Sequence, residues 1–135
     1  MLNLLSSPSV LRAVVWFDAS TGLLLGALHL LLTAPLAAWL GVPPGLLTVT
    51  GVMLLGYAAL AVTIARARTM PRGALWVLII ANFAWALASL VLLLGSALTP
   101  TLLGQAYLVV HVVCVAVLAK LQWMGVRRMP GLAVA

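Results

Sequence analysis

Acidic side chains are all but missing from this chain. Asp18 is the single aspartate or glutamate in 135 residues, and charged residues of every kind make up 6%. A soluble domain carries roughly 25%, so the polar surface that water demands is not there. One acid cannot supply the paired carboxylates used in much general acid–base chemistry. The one cysteine, Cys114, excludes an internal disulfide and a CxxC redox or zinc motif. It stands three residues from His111, but no orienting acid accompanies the pair, and packing within its apolar run is the expected role. There is no P-loop and no glycine-rich dinucleotide turn. A metal centre would lack a third ligand. No enzyme chemistry is therefore expected.

What the chain has in abundance is hydrocarbon, with 66% of its residues hydrophobic. Four apolar runs cover residues 11–33, 46–65, 74–94 and 101–124, each near the ~20 residues that cross a bilayer core. The composition predicts an all-α membrane protein, a single domain over 1–135 folded as an antiparallel four-helix transmembrane bundle. Only Arg12 precedes most of the first run, which contains Asp18; an uncleaved span is expected there rather than a signal peptide. The first connector, APLAAWLGVPPG, holds Pro35, Pro43, Pro44 and Trp39, and residues 35–42 suit a short interfacial helix. The other connectors, RARTMPRG and GSALTP, are short, which favours antiparallel neighbours.

Charge placement predicts orientation. Arg12, Arg66, Arg68, Arg72, Lys120, Arg127 and Arg128 all fall at one end if the spans alternate, and the other two connectors carry no charge. Positive loops stay inside, so both termini are expected in the cytoplasm. Trp16, Trp76 and Trp123 lie at that same end, as an aromatic belt would. The net charge of +6 is scattered over span ends and forms no phosphate-binding patch, so no nucleic acid is expected. The expected partners are the lipid bilayer and either further copies of the chain or a membrane partner subunit.

Helical spacing gathers the polar and small residues into one stripe per span. The stripes are Asp18, Gly22, Gly26 and His29; then Thr50, Tyr57 and Ala61; then Asn82, Ala86 and Ser89; and finally Gly104, Tyr107, His111, Leu118 and Gln122. Polar residues turn inward in lipid and small ones let helices approach. A column of polar groups through much of the bundle is the expected result. Lys120 lies about 200° round the helix from Gln122, so it should run its stem along lipid toward the headgroups. A different rotation of the fourth span would pair it with Asp18 instead.

The candidate site is Asp18 with Asn82, Tyr57, Trp85, Ser89, His111 and Gln122. An acid at mid-span costs about 2.5 to 3.5 kcal/mol, so it must be neutral, hydrogen-bonded or wet. Such a set suits binding or transport of a proton, an ion or a small lipophilic or polar ligand, with Trp85 as a flat cavity wall. The plainer alternative is an Asp18–Asn82 hydrogen bond that only joins helices, with Trp85 as packing. Gly22 and Gly26 form a GxxxG pair for helix packing; as an accessory or assembly subunit of a membrane complex, the chain would offer that pair to a partner. His29 and His111 would ligate a haem b only if their imidazoles faced each other at one level beside Gly26 and Gly104. Hydrogen-bonded interior histidines are commoner, and no cofactor is expected.

The segment from Asp18 to Gly22, the run APLAAWLG, NFAW with Ser89, and the closing LQWMGVRR together resemble a group of small bacterial four-span integral membrane proteins. Lys120 stands where that group's pattern would place an acid. The resemblance implies a four-span fold and the bacterial cytoplasmic (inner) membrane, and it carries no activity.

Overall fold

A computed structural model describes residues 7–129. Five helices follow in order: α1 Pro8–Leu31, α2 Thr33–Leu40, α3 Pro44–Arg66, α4 Arg72–Leu94 and α5 Leu102–Arg127. No strand occurs among the described residues. All except α2 are long and apolar enough to cross a membrane. Ile80, midway along α4, is 63% exposed, and Phe17 on α1 is 62% exposed. Water would not tolerate such faces along every long helix, whereas lipid requires them. The chain is a multi-pass membrane protein.

Helix ends follow local chemistry. Ser7 accepts from the Val10 N–H at 3.2 Å, and Pro8 takes the first helical position, where its missing N–H costs nothing. The run expected at 11–33 therefore begins earlier, and it stops at Leu31. The segment expected as a short helix at 35–42 is helical, as α2, which is capped by Gly41 with φ 67°. That left-handed residue could not be replaced freely, because a Cβ there would also lie 2.8 Å from the Thr101 nitrogen. Thr101 opens α5: its Oγ1 accepts from the Gly104 N–H at 3.1 Å and donates to the Trp39 carbonyl at 2.6 Å. One threonine thus joins the end of α2 to the start of α5.

The bundle is two tight pairs. α1 packs along α3, and α4 along α5; contacts between the pairs run through α1–α5 and, more sparsely, α3–α4. Small residues explain the first pair. A Cβ on Gly26 would sit 3.0 Å from the Gly51 carbonyl oxygen, and one on Gly51 would sit 2.9 Å from Leu30 Cγ. Two backbones can come this close only when neither carries a side chain at the crossing. At Gly22 the added atom would make ordinary contact, 3.5 Å from Ala58 Cβ. The GxxxG pair is therefore spent inside the bundle on α3 and is not open to a partner helix.

All four long helices contribute to one apolar core at the arginine-bearing end, built on Leu11, Val15, Ala61, Ile64, Leu75, Leu78 and Val126. Arg12 closes that end. Its guanidinium donates to the carbonyls of Ala65, Ala67 and Arg68, the last two at 2.7 and 3.2 Å. These are orphan acceptors at the C-terminus of α3, where a cation is favoured by the helix dipole. A smaller cluster of Ala37, Leu40 and Leu47 seals the opposite end against α2.

Candidate functional site

Each long helix carries one buried polar residue or phenol to the same level. Asp18 of α1 is 4% exposed, Asn82 of α4 5% and Gln122 of α5 0%, and Tyr57 of α3 is half-buried. All three partners donate to a single oxygen, Asp18 Oδ2: Asn82 Nδ2 at 2.8 Å, Gln122 Nε2 at 2.5 Å, and the Tyr57 hydroxyl. Asn82 Nδ2 also lies 3.3 Å from Gln122 Oε1. The expected Asp18–Asn82 bond is thus present, and two further donors join it. Every donor to the carboxylate among the described residues is neutral. Lys120 is exposed, in keeping with its position opposite Gln122, and Arg12 is turned to the α3 carbonyls. Three amide or phenol hydrogens solvate a carboxylate but do not cancel its charge.

A second polar group lies further from the arginine-bearing end. Eleven residues separate Asp18 from His29 along α1 and Gln122 from His111 along α5, about 16 Å in each case. His29 Nδ1 pairs with Thr50 Oγ1 at 3.0 Å and Nε2 with the Tyr107 hydroxyl at 2.8 Å. Trp85 Nε1 donates to His111 Nε2 at 2.6 Å. Tyr107 also stacks on the His111 ring, with centroids 5.7 Å apart. Proton positions follow from the partners. Thr50 gives its hydrogen to the Leu47 carbonyl at 3.1 Å, so it accepts from His29 Nδ1–H, and His29 Nε2 accepts from Tyr107. An indole only donates, so His111 Nε2 is bare and that ring is neutral.

These bonds divide what the stripes presented as one column. Asp18, Tyr57, Asn82 and Gln122 form one centre; Trp85 and His111 belong to the other. Trp85 is a hydrogen-bond donor to His111 and not the wall of a cavity around Asp18. Trp85 lies one turn beyond Asn82 on α4, and its indole reaches across to α5, a contact that residue spacing along a helix does not reveal. Ser89 is buried on the same face of α4 but joins neither centre. Between the two levels lie Leu54, Ala58, Ala86 and Leu118, all buried and apolar. Cys114, expected inside the run, is exposed on the outer surface of the bundle.

No protein family matches the chain. Nor does any curated protein or solved structure.

Geometry also bears on the haem expectation. Iron held between His29 and His111 would need one open nitrogen from each, facing across the width of a porphyrin. Here each Nε2 already has a donor, and Tyr107 stands between the rings. The residues as arranged do not fit a haem. No group of three or more metal-ligating side chains occurs among the described residues.

Thr50 and Tyr107 were legible as stripe residues but not as partners of His29. The available signal was the i, i+4 spacing of Tyr107 and His111, which puts both on one side of α5. Tyr107→Phe is expected to cost about 1 kcal/mol, because it leaves His29 Nε2 without its donor while keeping the stack on His111. Reversible unfolding in mixed micelles measures this. An unchanged midpoint would mean that the His29–Tyr107 bond contributes nothing.

Proposed function

We propose that this chain is a multi-pass protein of a bacterial cytoplasmic membrane, with both termini inside, whose Asp18 centre takes up a proton or small cation during transport or ligand binding. One observation carries the proposal: the sole acid is buried, and all three of its hydrogen-bond donors among the described residues are neutral. A charge enclosed in this way is costly without a counter-charge. None of its donors among the described residues is a cation, so on this reading the neutralising species comes from outside the helices. Orientation rests on the placement of all cations at one end, and the bacterial inner membrane rests on the resemblance described above.

Liposomes loaded with a pH-sensitive dye test the proposal. Wild type should move protons, alone or with a cation or small polar solute, and Asp18→Asn should abolish the movement while keeping an acceptor for the three donors. Equal flux through both proteins, across protons and the solutes tried, would remove the basis for a transport site.

A second reading is favoured by the same hydrogen bonds. They tie all four long helices together, and no buried side-chain nitrogen or oxygen among the described residues lacks a partner. A centre so completely satisfied also suits an accessory or assembly subunit of a membrane complex, in which Asp18 is structural. Purification at native expression would then recover a stoichiometric partner.

A further inference from the structure

The seam between α1 and α5 is open to the outside. A groove of 480 Å³ runs along it, walled by Ala13, Val14 and Phe17 on one side and Val113, Val117 and Leu121 on the other. Leu118, 8% exposed, forms its floor. The groove arises because α1 is committed to α3 and α5 to α4. α1 and α5 pack closely near the arginine-bearing end, where Gly125 leaves room for Leu11; a Cβ on Gly125 would lie 2.7 Å from Leu11 Cδ1. Beyond that point the small side chain of Ala13 leaves the seam unfilled.

The α5 wall continues into cationic ground. Val113, Val117, Lys120, Met124 and Arg127 recur at spacings of three and four, so they lie along one face. Lys120 is exposed beside the groove. One turn further on, Met124, Arg127 and Arg128 line a second cavity of 370 Å³. The Arg127 guanidinium rests over the Trp123 ring, 5.1 Å from its centroid, which orients it at this end. From Val113 to Leu121 the apolar part covers nine residues, a rise of about 12 Å. Half of a hydrocarbon core is about 15 Å, so the groove spans roughly one leaflet's share on the arginine-bearing side.

Hydrocarbon walls, a one-leaflet length and cations at one mouth specify an occupant. We propose that the α1–α5 seam is a binding site for one anionic phospholipid, its acyl chain in the groove and its phosphate between Lys120 and Arg127. No acidic side chain competes for those cations, since Asp18 is the chain's only acid and is buried. A zwitterionic lipid would bring its own ammonium group to this basic mouth. A second copy would bring another net charge of +6 to the same seam. Basic pockets at the ends of membrane helices select anionic headgroups by this electrostatic difference. The site depends on the four-span architecture and not on any role of Asp18.

Native mass spectrometry of the full chain, exposed in detergent to equal amounts of phosphatidylglycerol and phosphatidylcholine, tests this. Wild type should retain one phosphatidylglycerol in preference by about tenfold. Lys120→Gln with Arg127→Gln should bring the two lipids to near parity, and Ala13→Trp, which fills the groove from an exposed position, should remove the adduct. Asp18→Asn should keep it, so that failure of the proton reading and failure of this one are told apart. Equal retention of both lipids by wild type overturns the proposal, as does an adduct that survives Ala13→Trp. Dimer masses that vanish in Ala13→Trp would assign the seam to a second copy instead. The wild-type ratio involves no substitution, so a variant that fails to fold leaves the test decisive.

Discussion

Asp18→Ala should destabilise the bundle by about 3 kcal/mol, taking roughly 1 kcal/mol for each interhelical hydrogen bond lost. Three donors from three helices end on one oxygen of this side chain. Alanine removes the acceptor and leaves a void beside the buried Asn82 and Gln122 side chains. Gln122, fully buried, and Asn82, at 5% exposure, have no alternative except each other, and their contact is already made at 3.3 Å. Asp18→Asn keeps a carbonyl oxygen in place and should cost about 1 kcal/mol. Unfolding of the purified protein by sodium dodecyl sulfate in mixed micelles, followed by far-ultraviolet circular dichroism, measures both. An Asp18→Ala protein as stable as wild type would mean that burying the acid costs as much as its hydrogen bonds return, as occurs for some buried ionic groups.

Gly104→Ala should be comparably severe, at about 3 kcal/mol, although it adds only one methyl group. That methyl would be placed 2.0 Å from the Leu40 carbonyl oxygen and 3.0 Å from its carbon. The obstacle is backbone, so no rotamer change relieves it. Either α2 or the start of α5 must withdraw, and withdrawal breaks the Thr101 N–H bond to Leu40 at 3.0 Å and the Thr101 hydroxyl bond to Trp39. Gly56 gives the control. It lies inside α3 with nothing within 4 Å of an added Cβ, so Gly56→Ala should be neutral or stabilising by about 0.5 to 1 kcal/mol. The same unfolding assay compares the two. If both alanines behave alike, α2 is not held against α5 as described.

The two substitutions mark different depths of legibility. Asp18 could be singled out from composition, because one acid in an apolar run must be sheltered. Its stripe with Gly22, Gly26 and His29 followed from helical spacing, and those four residues are buried together on α1. Gly104 also lay on an expected stripe, but nothing in its neighbourhood along the chain announces the Leu40 carbonyl. The same holds for Arg12, whose acceptors lie more than fifty residues away on and after α3, and for Trp85, whose indole reaches His111.

The amino-acid sequence by itself determined the number of long helices, their approximate ends and the inward face of each. Lipid demands length and hydrocarbon, prolines and capping residues act within a turn, and the helical repeat sets the direction of every side chain about its own axis. Which helices became neighbours, how far each slid along the next, and which donors met which acceptors were decided only in the tertiary structure. A hydrogen bond forms within about 3 Å, while one helical turn is about 5.4 Å. Sliding one helix by a single turn leaves its stripe unchanged and exchanges every polar partner. Close packing of Gly26 on Gly51 and of Gly104 on Leu40 selects one register, and that register divides the polar residues between the Asp18 centre and the His29–His111 centre.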